Sequence, residues 1–246
     1  MSRVAVVTGA ASGIGLGVAH RLAAEGYRIA LLDRAGEVVE EVATELRQQA
    51  ATVAAYQVDV ADVSAVRDAI GRVRADLGAV SVLVTSAGID AFGGVLDITA
   101  DAWERVLAVN LTGTFTCIQT ALPDMIDASW GRIVTISSSA AQSGAPHMAY
   151  YAASKGGVIA LTKTLARELA RSGITVNTIP PSLVDTPMAR HAAAEGLINL
   201  ETMAATVPVG RAGTPDDIAA ACAFLCSDAA SYITGQVIGV NGGLYI

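Results

Sequence analysis

No stretch of this sequence stays apolar long enough to cross a bilayer, which takes about 18 residues or more; no spanning helix and no membrane partner are expected. Charge is scarce too: 16% of the residues are charged against 52% hydrophobic, the balance of a core-rich globular protein. The net charge of −7 argues against nucleic acid as a partner. Cysteine is rare and odd in number. Cys117, Cys222 and Cys226 fall in apolar helical patterns, which predicts buried free thiols rather than a disulfide framework. With no histidine or further cysteine near Cys222 and Cys226, no metal site is expected. Met1-Ser2-Arg3 runs straight into a strand-like segment without the apolar core of a signal peptide, so a cytoplasmic location is expected. No linker or charge run divides the 246 residues, which therefore read as one domain.

What the chain does have is concentrated between Ser138 and Lys155. If a helix runs from about Ala149, Tyr151 and Lys155 share a face one turn apart. An ammonium there favours the phenolate and lowers a phenol pKa that is ordinarily near ~10, which would make Tyr151 a general acid or base. Taken alone, Tyr-x-x-x-Lys is an ordinary solvated pair; its neighbours make the case. Tyr150 is followed four residues on by Ser154 rather than a lysine, so Tyr151 is the candidate. Ser138 ends the apolar run that begins at Arg132 and reads as a buried strand, where a hydroxyl can meet a helix across a cleft.

The remaining motifs sit at strand ends. The strand from Arg3 to Thr8 enters Gly9-Ala10-Ala11-Ser12-Gly13-Ile14-Gly15, and a helix follows. Those glycines allow a tight turn and close approach of backbone to a pyrophosphate, and the helix start offers free N–H groups. Tyr27 to Leu32 is the next strand. Asp33 after it can accept both hydroxyls of an adenosine ribose and would repel a 2′-phosphate, which predicts NAD; Arg34 keeps NADP as the second choice. The following helix carries Val38, Val42 and Leu46. A third strand, Thr52 to Val58, leads to Asp59-Val60, where the carboxylate either meets an adenine amino group or caps the next helix. That helix shows Val63, Val66, Ile70, Val73 and Leu77. The fourth strand leads to Ser86-Ala87-Gly88, another turn small enough for a cofactor to approach. A long helix from Asp101 contains Asn110, solvated or buried with partners. Pro180-Pro181-Ser182 stops the sixth strand, and 186–205 reads as a small helical lid in which Met188, Leu197 and Met203 cover an apolar pocket. A last strand, Gln236 to Val240, completes seven strands alternating with helices. The fold class is α/β: a single-domain, doubly wound parallel sheet of Rossmann type with helices on both faces.

With these residues in hand, the chain resembles the short-chain dehydrogenase/reductase family over essentially its whole length. Thr8-Gly9-x-x-x-Gly13-x-Gly15 matches its cofactor motif, and Asn110, Ser138, Tyr151 and Lys155 match its catalytic tetrad in order and spacing. The resemblance implies Tyr151 as acid/base, Ser138 orienting the carbonyl, Lys155 holding the nicotinamide ribose and lowering the tyrosine pKa, and Asn110 anchoring a relay water. It also implies Val184 and Thr186 as carboxamide contacts. Two places depart from the family pattern: Thr85-Ser86 stands for Asn-Asn, and Pro181-Ser182 for Pro-Gly. The expected activity is reversible hydride transfer between NAD(H) and a mainly apolar secondary alcohol or ketone. The alternative is a 3-oxoacyl-thioester reductase, against which Asp33 weighs because such enzymes commonly prefer NADPH. A non-enzymatic dinucleotide sensor would be expected to lack Tyr151 or Lys155. Expected substrate contacts are Ser138, Gln142, His147, Met148 and Met188, with Asp90, Phe92, Ser139 and Leu183 nearby. The small residues Gly156, Gly157 and Ala160 and the apolar end Leu244-Tyr245-Ile246, together with the resemblance, predict a homotetramer.

Overall fold

The structure, a computed structural model, describes residues 2–246; Met1, where the reading of the chain start began, lies outside the described residues. Val4–Thr8 (β1) is buried along its whole length. Val4 and Val6 enter the core on one face of the sheet and Ala5 and Val7 on the other. A strand covered on both faces needs apolar side chains at every position, hence the continuous run. Along the first half follow α1 (Gly13–Ala24), β2 (Arg28–Asp33), α2 (Gly36–Gln48), β3 (Val53–Gln57), α3 (Val63–Asp76) and β4 (Val80–Thr85). The second half holds α4 (Ala100–Leu107), α5 (Gly113–Asp127), β5 (Gly131–Ile136), the short α6 (Ala140–Ser143), α7 (Ala149–Leu169) and β6 (Ile174–Ile179). The chain then adds α8 (Pro187–Ala194), α9 (Leu200–Thr206) and α10 (Pro215–Cys226).

The strands form one parallel sheet in the order β3-β2-β1-β4-β5-β6. The order reverses between β1 and β4, so the loops leaving these strands diverge and open a crevice at their carboxyl ends. α1, α2 and α10 cover one face through Leu22, Leu46 and Ile218; α3, α5 and α7 cover the other through Ile70, Ile118 and Leu169. Thr8, Thr85, Thr135 and Thr178 are register partners across β1, β4, β5 and β6, so the loops that follow leave the sheet at one level.

Several expectations change. The seventh strand is not part of the ladder: Gln236 to Val240 makes only isolated parallel bridges, Val237 with Thr178 of β6 and Val240 with Pro181 beyond its end. Pro180 and Pro181 have no N–H to donate, so regular pairing cannot continue there. The second strand runs one residue later than expected and the third is shorter at both ends. On α2 the buried stripe is Val39, Val42, Ala43 and Leu46, with Val38 exposed; on α3, Val63 is exposed. The long helix from Asp101 is interrupted at Ala108–Thr112 by a wider π turn, and Asn110 lies in it. Cys117, Cys222 and Cys226 are buried and unpaired, as expected. No helix among the described residues is long and apolar enough to cross a membrane.

Candidate active site

At the end of β1 the Thr8 hydroxyl accepts the backbone N–H groups of Ser86 and Ala87, both at 3.1 Å, and so ties the two turns of the crevice together. Gly9 has φ +69°, and a Cβ there would stand 2.8 Å from the Ala87 backbone. A Cβ on Gly15 would stand 2.2 Å from the Gly9 carbonyl oxygen. These glycines are needed first for the turn to pack on itself. Ser12 holds the N-cap position of α1 but makes no side-chain cap bond, which leaves the first N–H groups of the helix free for an anion. Thr186 caps α8 through the Ala189 N–H at 3.3 Å, and its methyl would lie 3.3 Å from a Cβ on Gly13, so the segment after β6 closes over the glycine turn.

Asp33 is held on both oxygens, by the N–H of Ala11 at 3.1 Å and of Ala35 at 2.9 Å. Asp59 accepts from Ala61 N–H at 2.9 Å and from Arg105 of α4 at 3.1 Å, and the Ala61 bond is the main cause of its lowered pKa. Asp59 is not the cap of α3; Asp62 is, accepting from Ser64 and Ala65. Arg105 is a lining residue that the sequence reading missed, its signal hidden because α4 approaches only through the tertiary fold.

At the other end of the crevice β5 is laced to α7. Lys155 donates to the Ile136 carbonyl at 2.9 Å, and the Ser137 hydroxyl donates to the Lys155 carbonyl at 2.9 Å. Burial pushes the Lys155 pKa down from 10.5 to about 8. Tyr151 is raised above its ordinary 10.0, chiefly by burial, with the hydrogen bond to Ser138 opposing this and the Asp90 charge adding to it. This reverses the expected direction. Lys155 lies over the phenol ring, 6.0 Å from its centre, and does not offset the burial of the hydroxyl. Asn110 is buried with every side-chain bond made: Oδ1 accepts from Ile89 N–H at 2.9 Å, and Nδ2 donates to the Ile89 carbonyl and the Ser154 hydroxyl, each at 3.0 Å. Gly88 permits this convergence, since a Cβ there would stand 3.2 Å from Asn110 Oδ1 and 3.3 Å from Lys155 Nζ. Tyr150 points elsewhere, donating to the Phe92 carbonyl at 3.0 Å.

A family model described as enoyl-(acyl carrier protein) reductase matches residues 9–245. The chain is 42% identical to 3-oxoacyl-[acyl-carrier-protein] reductase FabG of Staphylococcus aureus over 248 residues, covering 100% of this chain and 99% of the relative. It is also 42% identical over 245 residues to acetoacetyl-CoA reductase of Rhizobium meliloti, with the same coverage. The chain belongs to the short-chain dehydrogenase/reductase family. Among solved structures, a single-site variant of actinorhodin polyketide ketoreductase with NADPH superposes with a TM-score of 0.94 at 37% identity, covering 99% of this chain and 97% of that one.

One cavity of about 610 Å³ runs along the crevice from Asp33, Arg34, Asp59 and Val60 past Ile14, Ser86 and Val184 to Ser138, Tyr151 and Lys155, a size suited to a ligand. Of the expected substrate contacts, Ser138, Met148 and Met188 line the cavity. Gln142 and His147 do not. The Gln142 side-chain oxygen is buried without a hydrogen-bond partner, while His147 adopts φ +62° and uses its carbonyl to hold Gly93 N–H at 2.7 Å. Ile198 and Met203 line the cavity, whereas Leu197 faces solvent. Leu244 lines it too, so part of the apolar chain end that was assigned to subunit contact is used within the chain. Gly157 is likewise taken up internally, since a Cβ there would stand 2.7 Å from Leu111.

Proposed function

We propose that this chain reduces the ketone of 3-oxoacyl thioesters with a nicotinamide dinucleotide, preferring NADH. The observation that carries the reaction type is the meeting of Ser138, Tyr151 and Lys155 along one cavity at the strand ends, with Lys155 over the phenol ring. When bound, the cofactor supplies the hydride. Ser138 and Tyr151 hold the carbonyl oxygen, and Tyr151 donates its proton to that oxygen as the carbonyl carbon becomes a carbinol. Lys155, fixed by the Ile136 carbonyl, keeps positive charge beside the phenol as negative charge develops on it. Asn110, locked on Ile89 and Ser154, fixes the π turn behind Lys155. Run in reverse, the same groups oxidise a secondary alcohol.

The thioester preference rests on the two relatives, named for ketone reduction on acyl-carrier and CoA thioesters. The preference for NADH rests on Asp33, whose carboxylate is pinned at the ribose end of the cavity; α1 and the glycine turn would hold the pyrophosphate. The test follows loss of reduced-cofactor absorbance with acetoacetyl-CoA and either NADH or NADPH, with crotonyl-CoA as the substrate of an enoyl reductase. Turnover of the ketone and not of the alkene is expected; turnover of crotonyl-CoA alone would overturn the reading.

A further inference from the structure

The charged side chains lining the cavity divide into two groups. Asp33, Arg34, Asp59 and Arg105 surround the end by β2 and β3, and Arg105 and Asp59 bond each other. The half around Tyr151 holds only Lys155 and Asp90. Lys155 is turned to a backbone carbonyl, which leaves Asp90 as the one anion facing the substrate. Asp90 directly follows the Ser86-Ala87-Gly88-Ile89 turn and is half-buried.

No side chain among the described residues donates a hydrogen bond to the Asp90 carboxylate. The one other side chain whose charge acts on it is His191 of α8. Its neighbour Arg190 is engaged by Asp185, through bonds of 2.7 and 2.9 Å. The Asp90 backbone N–H is the one donor to its carboxylate among the described residues, which leaves acceptor capacity unmet, at a cost, in a half-buried group; burial outweighs that bond and holds this carboxyl above the usual carboxylate range. A ligand that brings a donor relieves the cost, and one that brings a second negative charge adds repulsion in a medium of low dielectric.

We propose that Asp90 is the substrate-selecting residue of this site: it accepts a hydrogen bond from an N–H or O–H group of the ketone substrate and rejects ketones that carry a carboxylate. The proposal rests on the ketone-reductase reading above and sharpens it. A 3-oxoacyl thioester on a pantetheine arm is uncharged near the ketone, and its arm carries amide N–H donors. The free 3-oxo acid left by hydrolysis of that thioester places a carboxylate beside the ketone instead. Asp90 thus distinguishes the loaded substrate from its hydrolysis product.

Acetoacetamide and acetoacetate test this directly, because they share a skeleton and differ in a neutral N–H donor against an anionic oxygen. Dissociation constants for the enzyme loaded with reduced cofactor are read from cofactor fluorescence, and kcat/KM from turnover. The parent enzyme is expected to favour the amide by about tenfold or more, on both readouts. Asp90→Asn and Asp90→Ala should bring that ratio below about threefold, mainly by improving acetoacetate, with cofactor affinity retained as the sign of a folded site. A ratio below about threefold in the parent overturns the proposal without any variant, as does a parent ratio that both variants keep. Preferential binding of the amide with no turnover of either ketone would instead sink the ketone-reductase reading and leave the role of Asp90 standing.

Discussion

Tyr151 and Lys155 stand one turn apart on α7, yet the Lys155 ammonium lies over the Tyr151 ring, 6.0 Å from its centre, and donates to the Ile136 carbonyl at 2.9 Å. The lysine is therefore anchored to β5 rather than to the phenol hydroxyl. In the cofactor-free protein the tyrosine remains an acid, ready to give a proton to a carbonyl oxygen.

Removing that proton isolates its role. Tyr151→Phe should bind cofactor as the parent does and lose about 10²-fold or more in kcat. Tyr150→Phe, which loses only a bond to the Phe92 carbonyl, should stay active and lose about 1 kcal/mol of stability in urea unfolding. Turnover of Tyr151→Phe within about tenfold of the parent would remove Tyr151 as the acid.

Buried Lys155 should show in the pH dependence of stability. Below about pH 8 both the folded and the unfolded chain carry its proton, and the folded chain bears the burial penalty. Between about 8 and 10.5 the folded chain has released the proton while the unfolded chain still holds it, so stability from this group rises with pH across that window. The full difference corresponds to roughly 3 kcal/mol. Lys155→Met should therefore stabilise the cofactor-free protein at pH 7 by about 1 to 2 kcal/mol, after loss of the bond to Ile136, while abolishing turnover. Denaturant midpoints of parent and variant at pH 7 and pH 10 check this; a variant less stable than the parent at pH 7 contradicts it.

Asp33 should set cofactor choice. NADH should give the higher kcat/KM in the parent, and Asp33→Ala should narrow the ratio as repulsion of a 2′-phosphate disappears and Arg34 acts alone. Equal values for both cofactors in the parent would mean that Arg34 and Arg105 govern that end of the cavity.

The two short helices α8 and α9 should form a lid. Met188, Ile198 and Met203 line the cavity from this segment, which holds few buried residues. Hydrogen exchange should be fast in the free enzyme and slow with NADH and acetoacetamide bound. Equal protection in both states would place access control elsewhere.

Self-association should be read from α4 and α5, where Trp103 and Phe115 are exposed, as well as from Gly156 and Ala160 of α7. Light scattering should give about four times the 25.0 kDa chain mass. A single-chain mass across micromolar concentrations would refute the tetramer, and Phe115→Glu should lower the mass if α5 forms the contact.

The linear chain determined what depends on local spacing and solvent exclusion. Continuous apolar runs such as Val4–Thr8 made buried parallel strands, because both faces of the sheet are covered, and the glycine turn between strand and helix came to line the crevice. Tyr151, Ser138, Lys155 and Asn110 were legible for the same reason: their order along the chain maps onto strand ends and one helix. Only the tertiary structure decided which neighbours share an environment. It set the direction of the Tyr151 pKa, because burial and the position of Lys155 over the ring are properties of packed elements. It brought Arg105 and Leu244 to the cavity, and left Gln142 and His147 out of its lining. The seventh strand failed because a ladder needs donors on both partners, and at Pro180 and Pro181 one partner has none. Asp90 was placed near the pocket by its position after the Ser86-Ala87-Gly88-Ile89 turn, but that it shares the cavity of Tyr151 with no side-chain donor is arranged only by the folded chain.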